Sequence, residues 1–156
     1  MHTTHEAHEQ IRQTLVSLKP DGGADLTELL LAQAEAIANE GGFTIYHHLF
    51  GEATPLPSIV QRKIHPIFRE ALYNVLRHAN ASTAHLSIIW DNSTGSSTIS
   101  LEDDGVGFDL DHAAAEGHFG LLIMHQRAEE VSGQLTITTA PAQGTRVVLQ
   151  YSLSQI

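Results

Sequence analysis

The stretch that decides how this chain folds is Arg69-Glu70-Ala71-Leu72-Tyr73-Asn74-Val75-Leu76-Arg77-His78-Ala79-Asn80-Ala81. At about 100° per residue, Val60, Ile64, Phe68, Leu72, Val75 and Ala79 share one side of a helix, whereas Glu70, Asn74, Arg77, His78 and Ala81 gather on another that edges it. The apolar side holds the helix in a fold and the polar side is left for chemistry. Taken alone, the polar line reads more readily as a solvated face carrying an i, i+4 polar pair. It is also what a metal-bound polyphosphate requires: hard oxygens for the metal and positive charge for the phosphates.

Outward from this helix, the rest of the chain supplies a core and three further motifs. With 156 residues, 42% of them hydrophobic and 17% charged, the chain has enough material for one main domain. No run approaches the roughly 18 apolar residues of a membrane span, and no basic segment followed by an apolar one opens the sequence. Absence of cysteine excludes disulfides and thiolate metal sites and fits a reducing compartment, so a cytoplasmic domain without membrane contact is expected. A net charge of −10 argues against nucleic acid as a partner. Of the eight Lys and Arg, four (Arg62, Lys63, Arg69 and Arg77) lie on the central helix and none occurs between His78 and Gln126. Backbone amides and a metal ion must therefore do most of the neutralising at any phosphate site.

Upstream, residues 6–18 read as a short helix with an apolar seam of Ala7, Ile11, Leu15 and Leu18, ended by Lys19-Pro20-Asp21-Gly22-Gly23. The seam suits either its own domain or another copy of the chain. Asp25 opens a second helix at capping-box spacing from Glu28. Leu26, Leu29, Leu30, Gln33 and Ile37 follow at helical steps until Gly41-Gly42. Residues 43–50 form an expected strand. Pro55 and Pro57 mark a loop, and the central helix then runs from about Ser58 to Asn80, with Pro66 expected to bend or restart it.

Downstream, residues 83–91 and 98–103 read as a hairpin across Asn92-Ser93-Thr94-Gly95-Ser96. Period two places Ala84, Leu86, Ile88 and Trp90 inward on the first strand and Ile99, Leu101 and Asp103 inward on the second. A carboxylate ending an inward row is costly without a partner. Asp103-Asp104-Gly105-Val106-Gly107-Phe108 is a turn, and residues 109–116, small and polar, are expected to be a mobile lid. Gly117-His118-Phe119-Gly120 then feeds a helix with Leu121, Met124, Ala128 and Val131 inward, a glycine-bounded entrance whose amides and dipole can hold phosphate. Strands over 134–139 and 145–153 close the chain. Thr145 shares its face with Val147, Leu149, Tyr151 and Leu153, so Asp103 and Thr145 can rise together from the inner face of one sheet and read a flat base.

No Gly-x4-Gly-Lys-Ser/Thr loop and no dinucleotide fingerprint occur, and Asp-x-Gly-x-Gly alone is only a common turn composition. The specific signal is the ordered set Glu-x3-Asn-x2-Arg-His-Ala, Asp-x-Gly-x-Gly, Gly-x2-Gly-Leu and Gly-Thr. This set resembles the ATP-binding catalytic domain of sensor histidine kinases, within the superfamily shared with gyrase, a heat-shock chaperone and mismatch-repair ATPases. Arg69-Glu70-Ala71-Leu72-x-Asn74-x2-Arg77-His78-Ala79-x-Ala81, with Gly120-Leu121-x2-Met124-x2-Arg127-Ala128, is most similar to the nitrate-sensor-like branch.

The resemblance covers about residues 25–153. It implies an α/β two-layer sandwich of the Bergerat type: a mixed, mostly antiparallel sheet of about five strands covered on one face by three helices. Residues 1–20 would be a terminal helix, the tail of a dimerisation hairpin, and 21–156 the catalytic domain. Carried over by motif, Asn74 would coordinate magnesium and Glu70 would orient or activate the attacking group. Arg77 and His78 would approach phosphates or ribose. Asp103 would accept from the adenine amino group with support from Thr145, directly or through water. Gly105, Gly107, Gly117 and Gly120, with His118 and Leu121 beside them, would line the nucleotide. The implied activity is protein-histidine kinase, with ATP and Mg2+ as cofactors. The implied partners are a histidine-bearing dimerisation domain and, through it, a response regulator.

The family's acceptor-histidine motif is missing from this sequence. His5-Glu6 and His8-Glu9 match it only superficially. An anti-sigma-type serine kinase, an ATP hydrolase using Glu70 to activate water, or a non-catalytic nucleotide sensor are the alternatives on the same motifs.

Overall fold

A computed structural model of the chain describes residues 25–115 and 119–153. The expected terminal helix, Gly117 and His118 lie outside the described residues. The elements are α1 (Leu26–Gly41), β1 (Thr44–Phe50), α2 (Ser58–Asn74) running into a π-helical turn (Val75–Ala79), β2 (Thr83–Asp91), β3 (Ser96–Asp103), α3 (Leu110–Ala115), α4 (Phe119–Glu130), β4 (Gln134–Thr139) and β5 (Thr145–Ser152).

The five strands form one sheet in the order β1-β2-β3-β5-β4. β1 runs parallel to β2, and the other three pairings are antiparallel. The parallel pair exists because α2 crosses over between its two strands, whereas the β2–β3 and β4–β5 connections are short turns. Alternation holds as expected on β2, β3 and β5. Ala84, Leu86, Ile88, Trp90, Ile99, Leu101, Val147, Leu149 and Tyr151 are all buried, and α1, α2 and α4 cover them. Phe68, Ile64, Ile67 and Leu72 of α2 are fully enclosed between sheet and neighbouring helices. Each stabilises the fold by about 1.5–3 kcal/mol on hydrophobic burial. This is the expected two-layer sandwich.

Several local readings are corrected. Asp25 stands at the N-cap of α1 with extended backbone, but its side chain makes no capping hydrogen bond. Glu28 leaves its Oε2 buried without a hydrogen-bond partner. The inner line of α1 is Leu26, Leu30, Ala34, Ile37 and Ala38, while Leu29 and Gln33 are only half-buried. β3 begins at Ser96, two residues before its expected start, since Gly95 with φ 72° closes a tight turn and donates its N–H to the Asp91 carbonyl at 2.9 Å.

Within the expected lid, residues 110–115 form a short helix, α3, with Ala113 buried. Its entry is fixed by Asp109, whose carboxylate accepts from the N–H groups of Asp111 (3.0 Å) and His112 (3.3 Å). The sequence reading missed this cap because three consecutive alanines follow it with no apolar stripe to mark a helix.

Candidate functional site

The site begins with the end of α2. Beyond Asn74 the helix widens into the π-helical turn and stops at Asn80, which takes the left-handed conformation at φ 50°. π-turns of this kind are uncommon and tend to mark functional positions. The wider turn places more residues in each revolution, so Arg77 and His78 do not continue the azimuths that a regular helix assigns them. His78 lines a cavity of about 260 Å³ together with Asn74. Arg77 instead lays its guanidinium over the Tyr73 ring, 5.1 Å from the centroid, and is not among the lining residues.

The cavity opens where the two sides of α2 meet rather than on the polar side alone. Ala71, Val75 and Ala79 line it beside Asn74 and His78. Its floor is the end of the sheet, where Asp103 on β3 faces Thr145 on β5 across the antiparallel ladder. Asp103 is 7% exposed, one of the few polar residues in the core. Burial pushes its carboxyl up from the ordinary value of 3.8. The backbone N–H groups of Gly105 and Thr145 pull the other way, and the neighbouring Asp104 and Glu102 charges push it up further. Gly105 donates to Asp103 Oδ1 at 2.8 Å. Thr145 Oγ1 lies 2.9 Å from Thr139 Oγ1, which in turn donates to the Gly144 carbonyl. These bonds fix the hydroxyl beside the carboxylate.

The close approach of β3 and β5 at this end needs Gly144. It sits at φ 70°, and a Cβ there would collide with the Asp103 carbonyl. Gly105 is likewise pressed against the Ala79 carbonyl, which accepts from the Val106 N–H at 2.8 Å. The close contact at Gly105 is thus with the π-turn, and Gly107 is the glycine of this loop that reaches the cavity.

Asp104, which the sequence reading passed over, does structural work. Its Oδ1 accepts from the N–H groups of Ser82 (2.8 Å) and Thr83 (3.0 Å), and its Oδ2 accepts from Thr83 Oγ1 (3.0 Å). These donors hold its pKa below 3.8. The bonds pin the segment leaving the π-turn to the end of β3.

The opposite wall comes from Phe108, Asp109, His112 and Ala113, with Leu121 and Met124 of α4 behind. Phe108, Asp109 and His112 were not among the expected site residues. The helical step from Asp109 to His112 was the available signal. Glu70 is absent from the lining and packs against the start of α4: a Cβ on Gly120 would lie 2.5 Å from Glu70 Oε1. Of the expected site residues, the structure therefore gathers Asn74, His78, Asp103, Gly107, Leu121 and Thr145 on one cavity. Glu70, Gly120, Gly105 and Arg77 sit around it. No lysine or arginine lines the cavity among the described residues.

This arrangement offers a mostly apolar cavity with one buried acid at its floor, the Asn74 amide and His78 imidazole on one wall, and Asp109 and His112 on the other. The comparisons with known proteins point the same way. Residues 59–155 match the model of the family described as histidine kinase-, DNA gyrase B-, and HSP90-like ATPase. The chain is 29% identical over 148 residues to the nitrate/nitrite sensor protein NarQ of Escherichia coli (strain K12), which covers 94% of this chain and 26% of that protein. It is 32% identical over 114 residues to the signal transduction histidine-protein kinase/phosphatase DegS of Brevibacillus brevis, covering 73% of this chain and 28% of that protein. The chain thus spans well under a third of these relatives' length. Among solved structures it is similar to the histidine kinase domain from the Erythrobacter litoralis EL346 blue-light activated histidine kinase. The TM-score is 0.67 at 26% identity, covering 85% of this chain and 63% of that one.

Proposed function

This chain belongs to the histidine kinase-, DNA gyrase B-, and HSP90-like ATPase family, and from that premise we propose that it is the ATP-binding catalytic domain of a two-component sensor histidine kinase. It donates the γ-phosphate of Mg-ATP to a histidine on a dimerisation domain, from which a response regulator receives it. Residues 1–20 are the tail of that dimerisation hairpin, and the domain works in the cytoplasm.

The observation that carries the reading is the placement of Asp103. A carboxylate is buried at the floor of a mostly apolar cavity, where an exocyclic amine can donate to it. Thr145, tethered through Thr139, gives the base a second polar contact. Adenine is selected because guanine places no amine at that point. On the wall, the Asn74 amide oxygen and the phosphates fit a hard cation. Magnesium held there would neutralise charge that this cavity, without lysine or arginine, cannot. His78 approaches the phosphates or the ribose. Arg77 joins them by leaving Tyr73, a contact worth only about 0.5–1 kcal/mol at an exposed site.

Gly120 and Leu121 lie in the first turn of α4, where helix N–H groups suit phosphate, and Gly117 and His118 join the nucleotide site by the family motif. Glu70 stands beside that entrance and orients the incoming imidazole. Phosphoryl transfer asks chiefly for positioning and charge stabilisation, which these groups provide. The test is to mix the chain with a separately purified dimerisation hairpin and labelled Mg-ATP. Acid-labile phosphate on the hairpin histidine, lost in Asn74→Ala, is expected. Steady ATP turnover with no transfer would replace the kinase reading with a hydrolase.

A further inference from the structure

The helices cover one face of the sheet, and the other face carries a cluster that plays no part in nucleotide chemistry. On β1, Tyr46 and His48 point away from the core, and on β2 so does His85. His48 Nε2 and His85 Nδ1 are 2.9 Å apart, with ring planes 19° from parallel and centroids 5.2 Å apart. Tyr46 stacks on His85 at 5.1 Å and the same interplanar angle, which restrains that ring. One imidazole must donate a proton to the other for this contact to hold.

Two imidazole nitrogens bound to one transition-metal ion at about 2.0–2.1 Å and at right angles to each other stand about 2.9 Å apart. The observed separation matches the span of a two-point chelate, but the ring nitrogens now face each other along a hydrogen bond, so both rings must turn well off the N···N line for their lone pairs to meet at an ion in place of the shared proton. The right-angle bite suits the tetragonal coordination of Cu2+ and Ni2+. Tetrahedral Zn2+ sets its nitrogens further apart.

A third donor is within reach. Glu102 lies directly across from His85 in the β2–β3 ladder, on the same open face. It is exposed and lies 3.8 Å from Arg146 Nε through its Oε2. Opposed residues on antiparallel strands have Cβ atoms about 4.5–5.5 Å apart, so the carboxylate can swing over to an ion held by His85. Among the described residues, no three such groups are gathered beforehand.

We propose that His48 and His85 form a binding site for a tetragonal divalent ion, Cu2+ or Ni2+, with Glu102 as an auxiliary ligand, on the open face of the sheet. The ion bridges β1, the edge strand, to β2. His47 is the internal control. It is the sequence neighbour of His48, but it points to the helical face and pairs with Glu35 of α1 at 3.3 Å.

The full chain is titrated with Cu2+ and with Ni2+ by calorimetry, and imidazole resonances are followed by NMR at substoichiometric metal. The His48 and His85 resonances should respond first. Loss of a supporting partner alone typically costs about 10- to 100-fold in metal affinity, so His48→Ala and His85→Ala should each lose at least that much. Glu102→Gln should lose less, His47→Ala should match the parent, and Zn2+ should bind more weakly than Cu2+. All three histidines lie at the surface, so these variants should fold. Unchanged affinity in both His48→Ala and His85→Ala, or an equal loss in His47→Ala, would overturn the site. Resonances of other histidines responding first, with these two unmoved, would do the same.

Discussion

Two regions meet at the end of β3, and adjacent aspartates divide them. Asp103 belongs to the cavity floor, buried beneath the helices, and its carboxyl is pushed up by that burial. Asp104 belongs to the surface clamp, where three donors from Ser82 and Thr83 hold its carboxyl down. The same side chain, one residue apart, is a cost to the fold in the first region and a support in the second. The pleat sends alternate residues to opposite sides, and only one side is covered. A buried acid that burdens the fold calls for another role, which the proposed function supplies as base reading, and an exposed acid that satisfies backbone donors is accounted for by what it holds.

The strongest way to break this contrast is Asp103→Asn. Loss of one charged, buried hydrogen bond should cost ATP about 1.5–3 kcal/mol, on the order of tenfold to a hundredfold in affinity, while GTP changes little. The nucleotide-free domain should be no less stable at neutral pH. A carboxyl whose folded pKa is raised lowers stability above that pKa and recovers it as pH falls back towards 3.8, and the amide has no charge to bury. Equal losses for both nucleotides, read by titration, would show that the carboxylate does not read the base.

Next in size is Asn74→Ala, on the cavity side of the contrast. The magnesium-dependent part of ATP affinity should disappear, a change on the order of tenfold, with the melting temperature of the free domain unaltered. Paired titrations with and without magnesium, beside a thermal melt, decide it. A lowered melting temperature would move Asn74 into the structural group with Asp104.

Asp104→Asn should act in the opposite sense to Asp103→Asn. Thermal stability should fall modestly and base discrimination should stay intact. Because the folded pKa of Asp104 is depressed, its contribution is present above 3.8 and is lost as pH falls through the folded value. Acid titration of stability should therefore be flatter below pH 3.8 in this variant than in the parent. A parallel pair of curves would mean that the clamp contributes nothing. The smallest effect is expected in α3. Its amides at Asp111, His112 and Ala113 should gain hydrogen-exchange protection when nucleotide covers the cavity wall they support, and identical exchange with and without nucleotide would remove α3 from the site.

By itself the sequence determined the two-layer sandwich and the inner faces on which the cavity is built. The inward row Ile99-Leu101-Asp103 and the row Thr145-Val147-Leu149-Tyr151 follow from a period of two, and the core side of α2 follows from a period near 3.6, so both were legible without coordinates. The four motifs named the family because their order and spacing are rare even though each alone is common. What depended on tertiary structure was everything set by a departure from those periods or by a contact distant along the chain. The π-turn carried Arg77 onto Tyr73 and left His78 at the cavity, a choice no fixed angle per residue can express. Gly105 owes its place to the Ala79 carbonyl, Glu70 packs on Gly120, and Asp104 clamps Ser82 and Thr83 twenty-one or more residues upstream. The helix at Leu110–Ala115 was hidden for the same reason: short segments take their conformation from the cap and the wall they pack on, and local pattern carries too little free energy to fix them.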